Sequence, residues 1–171
     1  MLKIDMHSHI LPKTMPNWTQ KFGYGKFIHL EPNADGSANM MQGGQFFRRI
    51  VENCWDEQLR IEEYKPFHTQ VQVVCTIPVM FSYWAKTADA LELSRFLNDH
   101  IAELVTRYPK NYIGLATIPM QDPEVAILEL ERAKSIGHVG IQIGSNINDE
   151  NLSEEKFFPI FEACERLGMA V

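Results

Sequence analysis

Lys3-Ile4-Asp5-Met6-His7-Ser8-His9 is the stretch on which the fold turns. It reads as a short strand running out into a loop at Ile10-Leu11-Pro12. Side chains alternate along a strand, so His7 and His9 fall on one face, with Asp5 behind them on the same side. Two imidazoles at i and i+2 at the end of an opening strand form half of a metal site, since neutral imidazole is the commonest protein ligand for zinc-like ions. The alternative is a pair of histidines that merely cap a strand end. Position favours the metal, because α/β barrels carry their chemistry at the C-terminal ends of their strands. Asp5 then offers outer support to a ligand histidine, or is an ordinary strand-end polar residue.

The remainder of the chain tells which sheet this strand opens. Residues 18–50 are aromatic and glycine-rich, with turn chemistry at Asn33-Ala34-Asp35-Gly36 and Gly43-Gly44. Short strands are predicted at Phe27–Leu30 and Gln45–Ile50, so 18–50 is a small antiparallel insertion within one domain, 1–171. Beyond it helix and strand alternate. Asp56 caps a helix through about Phe67, with Leu59, Glu63 and Phe67 on one face. Val71–Ile77 is an almost unbroken apolar strand, as expected when both faces are covered. Thr87 caps a long helix with Leu93, Leu97, Ile101, Leu104 and Tyr108 on one stripe. Tyr112–Thr117 is a strand. Asp122-Pro123 opens a helix that Gly137 closes. His138–Ile143 is a strand, Ser153 caps a short turn, Pro159 opens a helix ending at Gly168, and Met169–Val171 begins a fifth strand.

Strands alternating with helices imply right-handed βαβ units and a parallel sheet. Such a chain closes as a doubly wound open sheet or as a (β/α)8 TIM-type barrel, which typically needs about 250 residues. With 171 residues and a last segment that stops inside a strand, the expectation is an α/β barrel's N-terminal half of about five parallel strands.

Composition narrows function by exclusion. Hydrophobic residues are 45% and charged residues 22%, as in an ordinary globular chain. The formal net charge of −6 argues against nucleic-acid binding, and an anionic substrate needs local arginines to oppose that field. Three scattered cysteines suggest reduced thiols, and no run is long or apolar enough for a membrane span. Cytoplasm is therefore expected. Arg48 and Arg49 fall on opposite faces of a strand, and either one can grip a carboxylate with a bidentate fork or simply face solvent. Met80, Phe81, Tyr83 and Trp84 either wall a flat substrate or pack beneath the next helix.

Several segments carry a resemblance over the whole chain. Ile4-Asp5-Met6-His7-Ser8-His9-Ile10-Leu11-Pro12 resembles the opening strand of the metal-dependent amidohydrolase superfamily. Glu52-Asn53-Cys54-Trp55-Asp56, Met80-Phe81-Ser82-Tyr83-Trp84-Ala85-Lys86 and Gly114–Gln121 are similar to the decarboxylase family that acts on 2-amino-3-carboxymuconate 6-semialdehyde. This resemblance implies a (β/α)8 barrel with one zinc ion. It implies non-oxidative decarboxylation in the kynurenine branch of tryptophan breakdown, limiting quinolinate formation, by a homodimer with a small anionic substrate. It marks His7 and His9 as zinc ligands and Arg48 as the carboxylate-binding residue. The family's third ligand histidine, catalytic histidine and aspartate ligand would be expected beyond Val171, and by motif His68, His100 and His138 do not replace them. The isolated chain is thus expected to be inactive. The alternatives are a related enzyme with another acidic substrate, or a non-catalytic half-barrel that pairs with a full-length subunit.

Overall fold

The computed structural model describes residues 2–171. In chain order the elements are strand β1 (Ile4–His9), helix α1 (Trp18–Phe22), strands β2 (Ile28–Pro32), β3 (Ala38–Gln42) and β4 (Gln45–Ile50), helix α2 (Glu57–Tyr64), strand β5 (Val71–Cys75) and helix α3 (Thr87–Arg107). There follow β6 (Tyr112–Ala116), α4 (Pro123–Ser135), β7 (Gly140–Ile141), the hairpin β8 (Asn146–Ile147) and β9 (Glu150–Asn151), and α5 (Phe158–Leu167).

The main sheet runs β1-β5-β6-β7, every pair parallel, and Ala170 bridges in parallel to Gly140 beyond it. Strand order therefore follows chain order without reversal. That is how a barrel is wound; a doubly wound sheet reverses at a switch point. The chain folds as four parallel strands of an α/β barrel, with Ala170 at the place of a fifth.

Local chemistry accounts for the helix starts. The Asp56 and Asp122 carboxylates accept from the backbone N–H of Leu59 and Val125, and Pro123 and Pro159 occupy first-turn positions where no N–H is needed. Gly168 closes α5 in the left-handed region. Thr87 is the first residue of α3 rather than its cap: Lys86 precedes the helix, and no side chain caps it. The inward face of α2 also differs from expectation. Phe67 is exposed, whereas Arg60 is buried and Ile61 and Tyr64 are half-buried. Of 138–143 only Gly140–Ile141 joins the ladder, and the hairpin β8–β9 was not legible.

The helices cover one face of the sheet. Val74 of β5 packs on Ile101 and Leu104 of α3 with Tyr112 of β6. Leu130 of α4 and Ile160 of α5 pack on Ala116 and Ile141. Gly114 allows α3 to lie close: a Cβ there would stand 2.8 Å from Ile101 Cγ2 and 3.1 Å from His138 Nδ1. The insertion 18–50 consists of α1 and an antiparallel sheet β2-β3-β4, whose buried side meets α3 through Trp18, Phe27, Met40, Leu93 and Leu97. Among the described residues no helix is long and apolar enough to cross a membrane.

Candidate metal and carboxylate site

His9 leaves the C-terminal end of β1 beside Cys75 of β5. Its Nδ1 lies 3.0 Å from the Thr76 carbonyl, which can only accept, so Nδ1 carries the proton and Nε2 keeps its lone pair. A backbone carbonyl behind one ring nitrogen is the usual way a ligand histidine is oriented. Burial lowers the His9 pKa below the ordinary imidazole value, against the pull of the Thr76 carbonyl. The ring is thus neutral near pH 7, as a ligand must be. His7 is exposed, and its ring stands edge-on to that of His9, the centroids 4.7 Å apart. Cys75 Sγ is 3.4 Å from His9 Nδ1, but burial pushes this thiol up to about 12, so it is no thiolate ligand at neutral pH. Among the described residues no group of three or more His, Cys, Asp and Glu could hold an ion. The two imidazoles fit a metal as part of a set, not as a whole one.

Asp5 does not stand behind the histidines. The ladder between β1 and β5 shifts between Asp5 and Ser8, where β1 carries one residue more than its partner. That bulge resets the alternation. Asp5 and Ser8 both face α2, where Asp5 accepts from the Tyr64 hydroxyl at 2.9 Å and Ser8 meets Arg60. His7 and His9 project to the other side.

A second bulge lies between β3 and β4. Met40 pairs with Arg48 and Met41 with Phe46, leaving Phe47 as the extra residue. Phe47 and Arg48, though adjacent, consequently line the same cavity of about 370 Å³ together with His9, Met40, Ile50 and Val79. Arg48 has no recorded carboxylate partner among the described residues, whereas Arg49 turns away to Asp35 and to the Ser37 hydroxyl. Two arginines equivalent in sequence are therefore distinguished by their partners. Met80, Phe81 and Tyr83 are buried. Trp84 is half-exposed and packs on Phe27, ring centroids 4.6 Å apart. His138 is buried, its Nε2–H donating to the Asn98 carbonyl, and His68 occupies a left-handed turn.

The residue missed entirely was Arg60. Its five N–H donors make five hydrogen bonds: Nε and Nη2 to Gln72 Oε1, Nη1 to the carbonyls of His9 and Asn53, and Nη2 to Ser8 Oγ. A charged residue among helix-face candidates offers no sequence signal for such burial.

Four matches relate the chain to known proteins. The Amidohydrolase family matches residues 4–171. A 2-amino-3-carboxymuconate-6-semialdehyde decarboxylase of Dictyostelium discoideum is 52% identical, covering 99% of this chain and 48% of that protein. The enzyme of that name in Caenorhabditis elegans is 34% identical over 98% of this chain and 47% of its own length. The chain spans about half the length of the curated relatives it matches. Among solved structures, a 5-carboxyvanillate decarboxylase of Novosphingobium aromaticivorans, complexed with manganese and a nitrobenzoic acid, superposes with a TM-score of 0.72 at 22% identity, covering 98% of this chain and 48% of that one.

Proposed function

Since the chain belongs to the amidohydrolase family, we propose that it supplies the first two metal ligands and the carboxylate grip of a zinc-dependent decarboxylase. The proposed substrate is 2-amino-3-carboxymuconate 6-semialdehyde, decarboxylated in the kynurenine branch of tryptophan breakdown by a cytosolic homodimer. The observation that carries this reading is the cavity shared by His9 and Arg48, with Arg49 occupied elsewhere.

The chemistry of the lining suits the reaction class. Arg48 can hold a substrate carboxylate through a planar fork. Met40, Phe47, Ile50 and Val79 give it an apolar surround. Loss of carbon dioxide leaves an electron pair on the substrate carbon, which a proton must meet. A bound metal would supply Lewis acidity and an acidified water. His9 and His7 would hold it, His9 through the Nε2 that Thr76 leaves free.

Metal per chain after equilibrium dialysis tests the ligands, with zinc and manganese assayed separately. His9→Ala should abolish the retained metal. Benzoate, as a flat carboxylate probe, should bind Arg49→Ala like the parent and Arg48→Ala at least tenfold more weakly. The reverse order would overturn the assignment of Arg48.

A further inference from the structure

Arg60 is a buried cation that forms no ion pair with a carboxylate among the described residues. Its hydrogen bonds all go to neutral oxygens, and it is 9% exposed. A buried charge of this kind is costly unless every donor is satisfied, and here every donor is. The acceptors belong to three different segments. His9 O (3.1 Å) and Ser8 Oγ are on the strand end that carries the histidines. Asn53 O (2.9 Å) is on the segment that returns from β4, which carries Arg48. Gln72 Oε1 (2.8 Å from Nη2) is on the neighbouring strand. Leu11 N–H donates to Cys54 O at 2.9 Å and closes the same joint from the other side.

From this convergence we propose that Arg60 is a positioning residue: it fixes the end of β1, and so the orientation of the His9 ring, relative to the insertion that brings Arg48. The inference rests on the metal reading above for its consequence, but its geometry does not. Only a planar fork with five donors reaches all four acceptor atoms at once; an ammonium has three donors and no fork. With Arg60 removed, the His9 carbonyl loses the guanidinium donor, and its peptide is held from one side, through the Ile10 N–H to Cys75 O bond of 3.0 Å. The ring then loses its fixed approach to Thr76 O, and Nε2 no longer points reliably into the cavity.

The test reads the His9 ring directly. In the metal-free chain, imidazole 15N shifts should report a single Nδ1–H tautomer for His9. Arg60→Met and Arg60→Lys should convert it to a mixture. Asn98→Ala, a buried-network change on α3, should lower the melting temperature comparably yet leave the His9 signature unaltered. Ser8→Ala removes one acceptor and keeps the arginine; it should shift the tautomer in the same direction by less, and it carries the test if Arg60→Met does not fold. Zinc affinity, measured by competition with a chelator, should fall by roughly tenfold in the Arg60 variants, as for loss of an outer partner of a ligand. A wild-type chain that binds no zinc while keeping the single tautomer would overturn the metal reading alone. Arg60 variants that melt early but retain one His9 tautomer would overturn the positioning role.

Discussion

Asn98→Ala is expected to cost the fold about 3–4 kcal/mol, and Asn98→Asp should make that cost depend on pH with a definite sign. Asn98 is fully buried on α3. Its Nδ2 donates to Thr117 O at 2.9 Å and to Glu129 Oε1 at 2.8 Å, and its Oδ1 accepts from Thr117 N at 2.9 Å. Thr117 follows β6 at the end of the sheet where His9 leaves β1. Alanine removes the recorded partners of two buried backbone groups, and each orphaned group costs about 1–3 kcal/mol. Glu129 is not added to the sum, because Arg95 and Arg132 still pair with its carboxylate. In a chain of this size about 3–4 kcal/mol corresponds to a fall in melting temperature of about 10 °C.

Aspartate keeps the shape but turns a donor toward Glu129 into an acceptor. Two carboxylates that close cannot both ionise, so the new acid's pKa is raised in the folded state. A raised carboxyl pKa means that the folded chain holds a proton which the unfolded chain has released. Stability is then greatest below the unfolded carboxyl value, about 3.9, and is lost as pH rises toward the folded value. The penalty of Asn98→Asp relative to wild type should therefore be larger at pH 7.5 than at pH 5.0. Urea unfolding followed by far-UV circular dichroism at both pH values measures it. A cost below about 1 kcal/mol for alanine, less than one orphaned group, or an aspartate penalty that shrinks as pH rises, would refute the network's role.

Four further outcomes follow from the same structure. Burial lowers the His138 pKa, with the Asn98 and Gly114 backbone opposing it; the folded chain then resists a proton that the unfolded chain accepts, so stability falls as pH drops below about 6.5. His138→Gln should flatten that part of the melting-temperature profile, and an identical slope in both proteins would show that His138 contributes nothing to it. Gly25→Ala should cost about 2–3 kcal/mol, because φ is +84° and the new Cβ meets the Trp84 ring; the cost should shrink in a Trp84→Ala background, and equal costs would remove the steric part. With zinc added, the 171-residue chain should release no carbon dioxide from the semialdehyde, and robust turnover would show that two histidines suffice. Exposed Ile4 and Met6 on the edge strand β1 should make the chain self-associate, and Met6→Lys should reduce that in sedimentation velocity; a monodisperse wild-type monomer would contradict it.

The barrel order was legible because period and punctuation agree. Asp56, Asp122, Pro123, Pro159 and Gly168 mark helix ends where the sequence puts them, and the largely apolar run at 71–75 suits a covered strand. The site was legible only in part, because alternation is a rule about uninterrupted strands. One extra residue in β1 sends Asp5 to α2 while leaving the histidines on the open side. One extra residue in β4 lets Phe47 and Arg48 share a cavity that strict alternation would have divided between them. A bulge has no residue signature at either place, since Met6 and Phe47 would suit a regular strand equally well. Arg60 was hidden for a related reason: a helix wheel ranks positions by apolarity, and so it sends a buried guanidinium to solvent. The β4 bulge lies on the His9–Arg48 cavity, while the β1 bulge and the guanidinium lie behind the strand end that carries His9. At these places a side chain is aimed rather than merely packed, and that is where a local rule of alternation or apolarity fails.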